Sequence, residues 1–139
     1  MKKVKSCISM VLVCALFFAT STFAAARASD QIAIYTMDVT ATGNGRIAIM
    51  FSVTGADFMD RIGAKSIDVY ERDATGWEIA GSYDADDSGM TASNVTKYGN
   101  TKYFYGEPGE EYKIEVTIFA EDKYGDSDSR SKTFYVTAR

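Results

Sequence analysis

Apolar and polar residues alternate with a period of two along much of the chain, which is the pattern of β-strands that bury one face. The clearest alternation runs from Tyr112 to Ala120, where Phe119 is the one exception. Residues 46–54 alternate in the same way. No stretch after residue 28 carries a sustained period of 3.6 residues, so the pattern predicts an all-β domain.

Turn residues divide the alternating stretches into seven or eight predicted strands. The pair Asn-Gly at 44–45 predicts a tight hairpin, and the pair Pro-Gly at 108–109 predicts a turn before the clearest strand. Residues 55–65 are expected to connect two strands, with room for a helical turn. Strands at this spacing are typical of a two-sheet antiparallel sandwich. The predicted strands are residues 32–41, 46–54, 66–72, 77–83, 90–98, 101–105, 112–120 and 131–138.

Residues 1–28 have the composition of a bacterial signal peptide. Three lysines precede an apolar run at 8–19, and small residues at 24–28 offer a cleavage site. The apolar run is short for a membrane-spanning helix, although a retained anchor is the alternative interpretation. We therefore expect export of one domain, residues 29–139, to the outside of the cell, or to the periplasm of a host with an outer membrane.

Cleavage would change the composition of the protein. Both cysteines, Cys7 and Cys14, leave with residues 1–28, and the remainder has eleven basic and nineteen acidic residues, a formal net charge of −8. Nucleic acids and anionic membranes bind clustered Lys and Arg, so this charge argues against both as partners. No membrane insertion is expected after cleavage. An exported domain without disulfides depends on packing and strand pairing.

The run Pro-Gly-Glu-Glu-Tyr at residues 108–112 resembles the turn and following strand of fibronectin type III domains. The resemblance is tightest over residues 108–127. It implies an immunoglobulin-like, fibronectin type III-like sandwich, in which the hydroxyl of Tyr112 bonds to backbone a few residues upstream. The chain departs from the family pattern at Gly106, where a leucine is usual, and at Phe51, where a tryptophan is common.

Several catalytic chemistries are excluded by composition. The chain has no histidine and the mature part no cysteine, which removes Ser-His-Asp and Cys-His catalysis and ordinary zinc sites. A carboxylate pair or a Ser-Lys dyad remains, but no spacing marks one as catalytic. We therefore expect that the protein is not an enzyme.

Two acidic clusters are candidate calcium sites, because calcium takes several oxygen ligands from one flexible loop. Solvated turns are the alternative, and the first cluster has Val95 where an EF-hand needs its twelfth-position glutamate. The candidate ligands are Asp84, Asp86 and Asp87 in one loop, and Asp122, Asp126 and Asp128 in the other.

Aromatic residues form a second candidate site. Four aromatic residues, with Phe104 and Tyr83 nearby, are expected to make a platform for a glycan or a protein partner, as exposed aromatic side chains do at binding sites. Sandwich core and cross-strand pairs are the alternative interpretation. The candidate binding residues are Trp77, Tyr98, Tyr103 and Tyr105.

Together these observations predict a secreted, non-catalytic binding or interaction module. The alternatives are a small carboxylate-based hydrolase and an accessory glycan-binding domain. A hydrolase of this kind would need two acidic side chains about 5 to 10 Å apart inside a cleft. A structural or surface-layer role would need a linear repeat or an anchoring motif, and the sequence has neither.

Overall fold

A computed structural model describes residues 31–139, which form six antiparallel strands hydrogen-bonded into one curled sheet. Strands account for 77% of this part of the chain and helices for none, which confirms the all-β class. The predicted signal peptide, residues 1–28, lies outside the described residues. The strands are β1 (Ile32–Gly43), β2 (Arg46–Arg72), β3 (Trp77–Asp84), β4 (Thr91–Tyr105), β5 (Glu111–Glu121) and β6 (Ser127–Thr137).

Across residues 31–139, no helix is both long and apolar enough to span a bilayer.

Strand β2 is 27 residues long and organises the sheet. Its first half, residues 46–55, lies between β1 and β4, and its last part, residues 66–72, lies between β3 and β5. β5 also pairs with β6. Every other strand is therefore attached to β2 directly or through β5.

The expected break at residues 55–65 is wrong, because this segment stays in the sheet as part of β2. Met59 and Ile62 are buried, and the segment pairs with β4 on one side and β5 on the other. Register shifts between Thr54 and Met59 and between Ala64 and Ser66 mark irregularities in the pairing. Such bulges interrupt the alternation of side chains along the strand. The sequence of this segment therefore lacks the strand pattern and resembles that of a loop.

The expected break between the predicted strands 90–98 and 101–105 is also wrong, because residues 91–105 form one strand. Gly99 pairs with Ser52, and a β-carbon on it would lie 2.9 Å from the carbonyl oxygen of Phe51. The glycine therefore permits a close approach of two strands and does not mark a turn. With these two mergers, the seven or eight predicted strands become six in the described part of the chain.

The core lies inside the curl of the sheet, where the two halves of β2 face a common interior. β5 supplies one wall, and its burial alternates from Glu111 to Ile118 as the sequence pattern predicted, with the buried Phe119 as the exception. Phe51 and Tyr112 add large rings to the aliphatic side chains. The fully buried aliphatic residues include Ile47, Ile49, Val53, Ile62, Ile67, Val69, Ile114, Val116 and Ile118.

Candidate functional site

Tyr112 is a structural residue at the start of β5. Its hydroxyl oxygen accepts a hydrogen bond of 2.7 Å from the backbone N–H of Glu107, which confirms the upstream bond implied by the resemblance. The ring is buried and packs edge-on against Phe104, with centroids 5.4 Å apart. Burial raises the pKa of this phenol, and the Glu107 N–H partly opposes the shift.

Gly106, a departure from the family pattern, has a steric explanation at the same corner. A β-carbon at this position would lie 2.6 Å from ring atoms of Tyr112. A larger side chain at residue 106 would therefore clash with the ring of Tyr112.

The outward-facing side of β3, β2, β5 and β6 carries a cluster of aromatic and cationic side chains. Cross-strand register places Tyr70 opposite Lys113, Lys113 opposite Tyr135, and Arg72 opposite Trp77. Directly opposed residues share one face of a sheet, so these five residues form a continuous surface, called here the outer aromatic face.

The rings of Trp77 and Tyr135 meet across the outer aromatic face, with centroids 5.7 Å apart and planes inclined at 52°. Beneath them, the Lys113 Nζ lies 4.3 Å from the Tyr70 centroid and 5.7 Å from the Trp77 centroid. The Arg72 guanidinium lies 5.6 Å from Trp77. These cation–π contacts involve the rings of Tyr70 and Trp77, while Tyr135 packs on Trp77 and stays 63% exposed.

Neighbouring carboxylates raise the pKa of Tyr70 above its ordinary value. The carboxylate of Glu115 is the main cause that raises the pKa of Tyr70, followed by burial and the charge of Asp68. Lys113 also lies 3.6 Å from Glu115. A hydrogen bond between the Tyr70 hydroxyl and Glu115 also contributes to the raised pKa, so this hydroxyl is already engaged within the protein.

The four predicted binding aromatics do not form one platform in this structure. Tyr103 and Tyr105 lie together on the outward side of β4, where the Arg46 guanidinium is 5.0 Å from the Tyr103 centroid. Tyr98 is half-buried and packs on Phe51, with centroids 6.1 Å apart. Trp77 belongs instead to the outer aromatic face.

Parity along the strands explains this separation. Residues 98 and 104 are an even number apart and face inward, whereas 103 and 105 face outward. The same rule places Tyr135 outward, between two inward neighbours on β6, but the sequence does not reveal that β6 lies within reach of Trp77. Tyr83 is likewise attached to β4, since its hydroxyl donates to the carbonyl oxygen of Tyr103 at 3.3 Å.

The carboxylates of the first acidic cluster contact the backbone of their own turn and the side chain of Arg61. Asp87 accepts a hydrogen bond of 2.7 Å from the backbone N–H of Asp84, and Asp86 forms an ion pair with Arg61. These contacts account for two of the three carboxylates without a metal ion.

The second acidic cluster closes the turn between β5 and β6. Asp122 Oδ1 accepts the backbone N–H groups of Tyr124 and Asp126, and its Oδ2 accepts the amide of Gln31. Asp128 accepts the backbone N–H of Gln31 at 2.9 Å. Between residues 31 and 139 no three acidic side chains converge on a metal-sized site, so neither calcium candidate has an assembled ligand set.

Two carboxylates share a cleft of about 470 Å³ at the end of the domain near Gln31. The cleft is lined by Asp57 and Asp122 together with the exposed rings of Phe58 and Tyr124. Asp57 accepts the N–H of Phe58 at 2.7 Å, and both oxygens of Asp122 are already hydrogen-bonded. This is the arrangement closest to a carboxylate pair among the described grooves.

Comparison with known proteins gives structural likeness only. No protein-family model matches the chain, and no curated protein matches it at a significant level. The sporulation control protein Spo0M of Bacillus subtilis is similar at 12% identity and a TM-score of 0.45, over 81% of this chain and 51% of Spo0M. The chain thus spans about half the length of Spo0M.

Two further solved structures are similar over most of their own length. A protein described as late embryogenesis abundant matches at 16% identity and a TM-score of 0.41, over 99% of this chain and 87% of that protein. CsgH of R. palustris matches at 13% identity and a TM-score of 0.35, over 75% of this chain and 92% of CsgH. All three are β-rich folds.

Proposed function

We propose that residues 29–139 are an exported, non-catalytic binding module of the immunoglobulin-like, fibronectin type III-like class. Its outer aromatic face would contact a protein partner. The observation that carries the proposal is the meeting of Trp77 and Tyr135 over Lys113, because it presents fixed aromatic rings on an exposed sheet face.

The strand pairing supports the immunoglobulin-like class. The strands fall into two groups, each built around one half of β2. The first half of β2 pairs with β1 and β4, and the second half belongs with β3, β5 and β6. If β2 is counted as two strands, the groups contain seven strands, the number of an immunoglobulin constant-type sandwich. The hydrogen bond between Tyr112 and Glu107 is a second point of support.

The composition of the outer aromatic face supports a protein ligand. Trp, Tyr and Arg are the residue types that most often dominate binding energy in protein interfaces, and Trp77, Tyr135 and Arg72 adjoin one another here. Ile79, opposite Tyr70, extends the apolar surface and is 56% exposed. Since cation–π contacts already order the ring of Trp77, binding would cost little entropy at that side chain.

The signal-peptide pattern supports the export part of the proposal. A binding module outside the cytoplasm needs no cofactor and no histidine or cysteine chemistry, in agreement with the composition of residues 29–139.

A carboxylate-based hydrolase is the second candidate, and it is supported by the shared cleft of Asp57 and Asp122. Because Asp122 uses both oxygens to hold Gln31 and the turn after β5, its place in the turn favours a structural role.

The single tryptophan of the chain makes the proposal testable without a label, because Trp77 lies in the proposed contact surface. Residues 29–139 would be titrated with fractionated envelope proteins and, separately, with insoluble polysaccharides, while Trp77 emission and co-sedimentation are recorded. We expect a protein fraction to shift the emission. Trp77→Ala should abolish capture of that fraction, and Tyr124→Ala, an exposed aromatic at the Gln31 end, should not.

Equal capture by Trp77→Ala and the parent would contradict the assignment of the outer aromatic face. A shift with polysaccharide alone would replace the protein partner by a glycan. If the protein cleaves a polysaccharide and Asp57→Asn abolishes this cleavage, the result would instead favour the hydrolase.

A further inference from the structure

β1 and β6 lie side by side along the open side of the curled sheet without a hydrogen-bonded ladder between them in the described residues. They are tied at their two ends. The backbone N–H of Gln31 donates to Asp128 at 2.9 Å, and the N–H of Gly45 donates to the carbonyl oxygen of Arg139 at 2.7 Å. Between these ties the two outer strand edges border a shallow channel, called here the β1–β6 groove.

Two depressions lie in line along the β1–β6 groove. One, of about 430 Å³, is bordered by residues 35–37 of β1 and residues 131–132 of β6. The other, of about 460 Å³, is bordered by residues 39–41 and by residues 135–137 with Arg139. Along β1 they are offset by four residues, or about 13 Å at the rise of an extended strand.

An extended peptide matches that spacing. Side chains two apart in a strand point to the same side, so residues i and i+4 of a ligand would reach both depressions. The interior of the groove offers apolar contact, because Val39, Phe134 and Val136 pack against the core but are only partly covered. A peptide shorter than about five residues cannot span both depressions.

The groove is basic in a domain that is acidic overall. Lys132 and Arg139 border the two depressions, and Arg130 precedes them on β6. Lys132 stands opposite the buried Val116, so it projects from the inner side of an edge strand, and its Nζ lies 4.9 Å from the Phe134 centroid. A cation there favours carboxylates in the groove.

The same cations argue against a second copy of this chain as the occupant. A two-fold contact would bring identical surfaces together and oppose Lys132 to its own counterpart. Charged residues that point inward on an edge strand also discourage pairing between edges of like copies.

We propose that the β1–β6 groove binds an extended acidic segment of a partner polypeptide, with residues i and i+4 of that segment in the two depressions. This site is separate from the contact made by Trp77, although Tyr135 borders both surfaces.

The test uses synthetic peptides with blocked ends and a fluorescent label. Octapeptides of alternating valine and glutamate, and of alternating valine and lysine, would be titrated into residues 29–139, with a valine–glutamate tetrapeptide as the length control. We expect the acidic octapeptide to bind, the basic one not to bind, and the tetrapeptide to bind at least about tenfold more weakly. Amide NMR shifts should concentrate at residues 35–41 and 131–137.

Lys132→Glu should weaken binding of the acidic octapeptide by about tenfold, because attraction becomes repulsion. Lys97→Glu, an exposed charge change on β4, is the matched control and should leave affinity unchanged. Arg139→Glu at the chain end provides a second variant if Lys132→Glu disturbs folding. Trp77→Ala should bind the peptide normally, which separates this test from that of the outer aromatic face.

Equal affinity for the acidic and basic octapeptides, or an unchanged affinity in both Lys132→Glu and Arg139→Glu, would overturn the proposal. So would shifts that map to β3 and β4, or concentration-dependent dimerisation through residues 35–41 without peptide binding.

Discussion

The hydroxyl of Tyr112 and the backbone amide of Glu107 are joined by a 2.7 Å hydrogen bond across the turn that precedes β5. The same turn is fastened to the end of the chain, because Gly109 donates to the carbonyl oxygen of Ala138 and Ala138 donates to that of Glu110. This corner therefore connects β4, β5 and the end of β6.

Tyr112→Phe removes only the hydroxyl and leaves the N–H of Glu107 without its partner. We expect the substitution to lower the free energy of unfolding by about 1 to 2 kcal/mol. Urea unfolding of residues 29–139 measures it. Tyr105→Phe removes an exposed hydroxyl and, as the control, should have no measurable effect. Equal stability of the parent and Tyr112→Phe would show that the hydrogen bond to Glu107 does not stabilise the fold.

Gly106→Ala places a methyl group against the ring of Tyr112. Overpacking of this kind should lower stability by about 1 to 3 kcal/mol. A double-mutant cycle with Tyr112→Leu is the sharper measurement, because the clash should largely disappear when the ring is absent. Additive losses in the double variant would mean that Gly106 acts through the backbone and not through Tyr112.

Asp73 should contribute stability that depends on pH. Its carboxylate accepts hydrogen bonds from the Thr75 hydroxyl and from the N–H groups of Thr75 and Gly76, and these bonds lower its pKa below the ordinary 3.8. The ionised form therefore stabilises the fold above pH 3.8, and this stabilisation is lost as the pH falls through the folded-state pKa.

The comparison to make is between the parent and Asp73→Asn in urea at about pH 6 and about pH 2. We expect Asp73→Asn to be less stable at the higher pH and the difference to shrink at the lower pH. Glu78→Gln, an exposed carboxylate on β3, serves as the control. A difference that does not change with pH would exclude a role for the charge of Asp73.

Calcium should not stabilise the domain selectively, because the acidic clusters already hold their own turns. A folded-state calcium site would add about 2.7 kcal/mol at 100 times its dissociation constant, and so raise the melting temperature by about 10 °C or more. We expect superimposable thermal unfolding in calcium, magnesium and sodium chloride at one ionic strength. A calcium-selective rise lost in Asp86→Asn or Asp126→Asn would instead confirm a calcium site in that loop.

Export should remove the N-terminal segment. The intact mass of protein recovered outside the cytoplasm is expected to correspond to a start at or near Arg27 or Ser29. Recovery of a chain that still begins at Met1 would contradict this expectation and favour the retained anchor.

Local patterns predicted the hairpin at Asn44-Gly45, the break between the strands 66–72 and 77–83, and the alternating strand from Tyr112 with good accuracy. These features depend on backbone conformation and on burial of one strand face, which short stretches of sequence encode directly. The hydrogen bond of Tyr112 was predictable because the resemblance covers that turn.

The errors came where tertiary contacts override local signals. Gly99 lies where the sequence predicts a break between two strands, but it lies inside β4 and permits the close approach of β2. Residues 55–65 lose their alternation at bulges inside one continuous strand. The sequence did not predict the ring contact between Trp77 and Tyr135, because these residues are 58 positions apart and meet across two intervening strands.

The 27-residue length of β2 has a consequence for how the domain comes apart. Because this single strand contributes to both halves of the sheet, detachment of β2 removes the pairing of β1, β3 and β4 and leaves, among the described strands, the ladder between β5 and β6. The two halves thus cannot melt as independent subdomains, and loss of structure should be all-or-none. A proteolytic cut anywhere in the middle of β2 would disable both halves at once, whereas a cut at the exposed turn 73–76 would leave each strand whole.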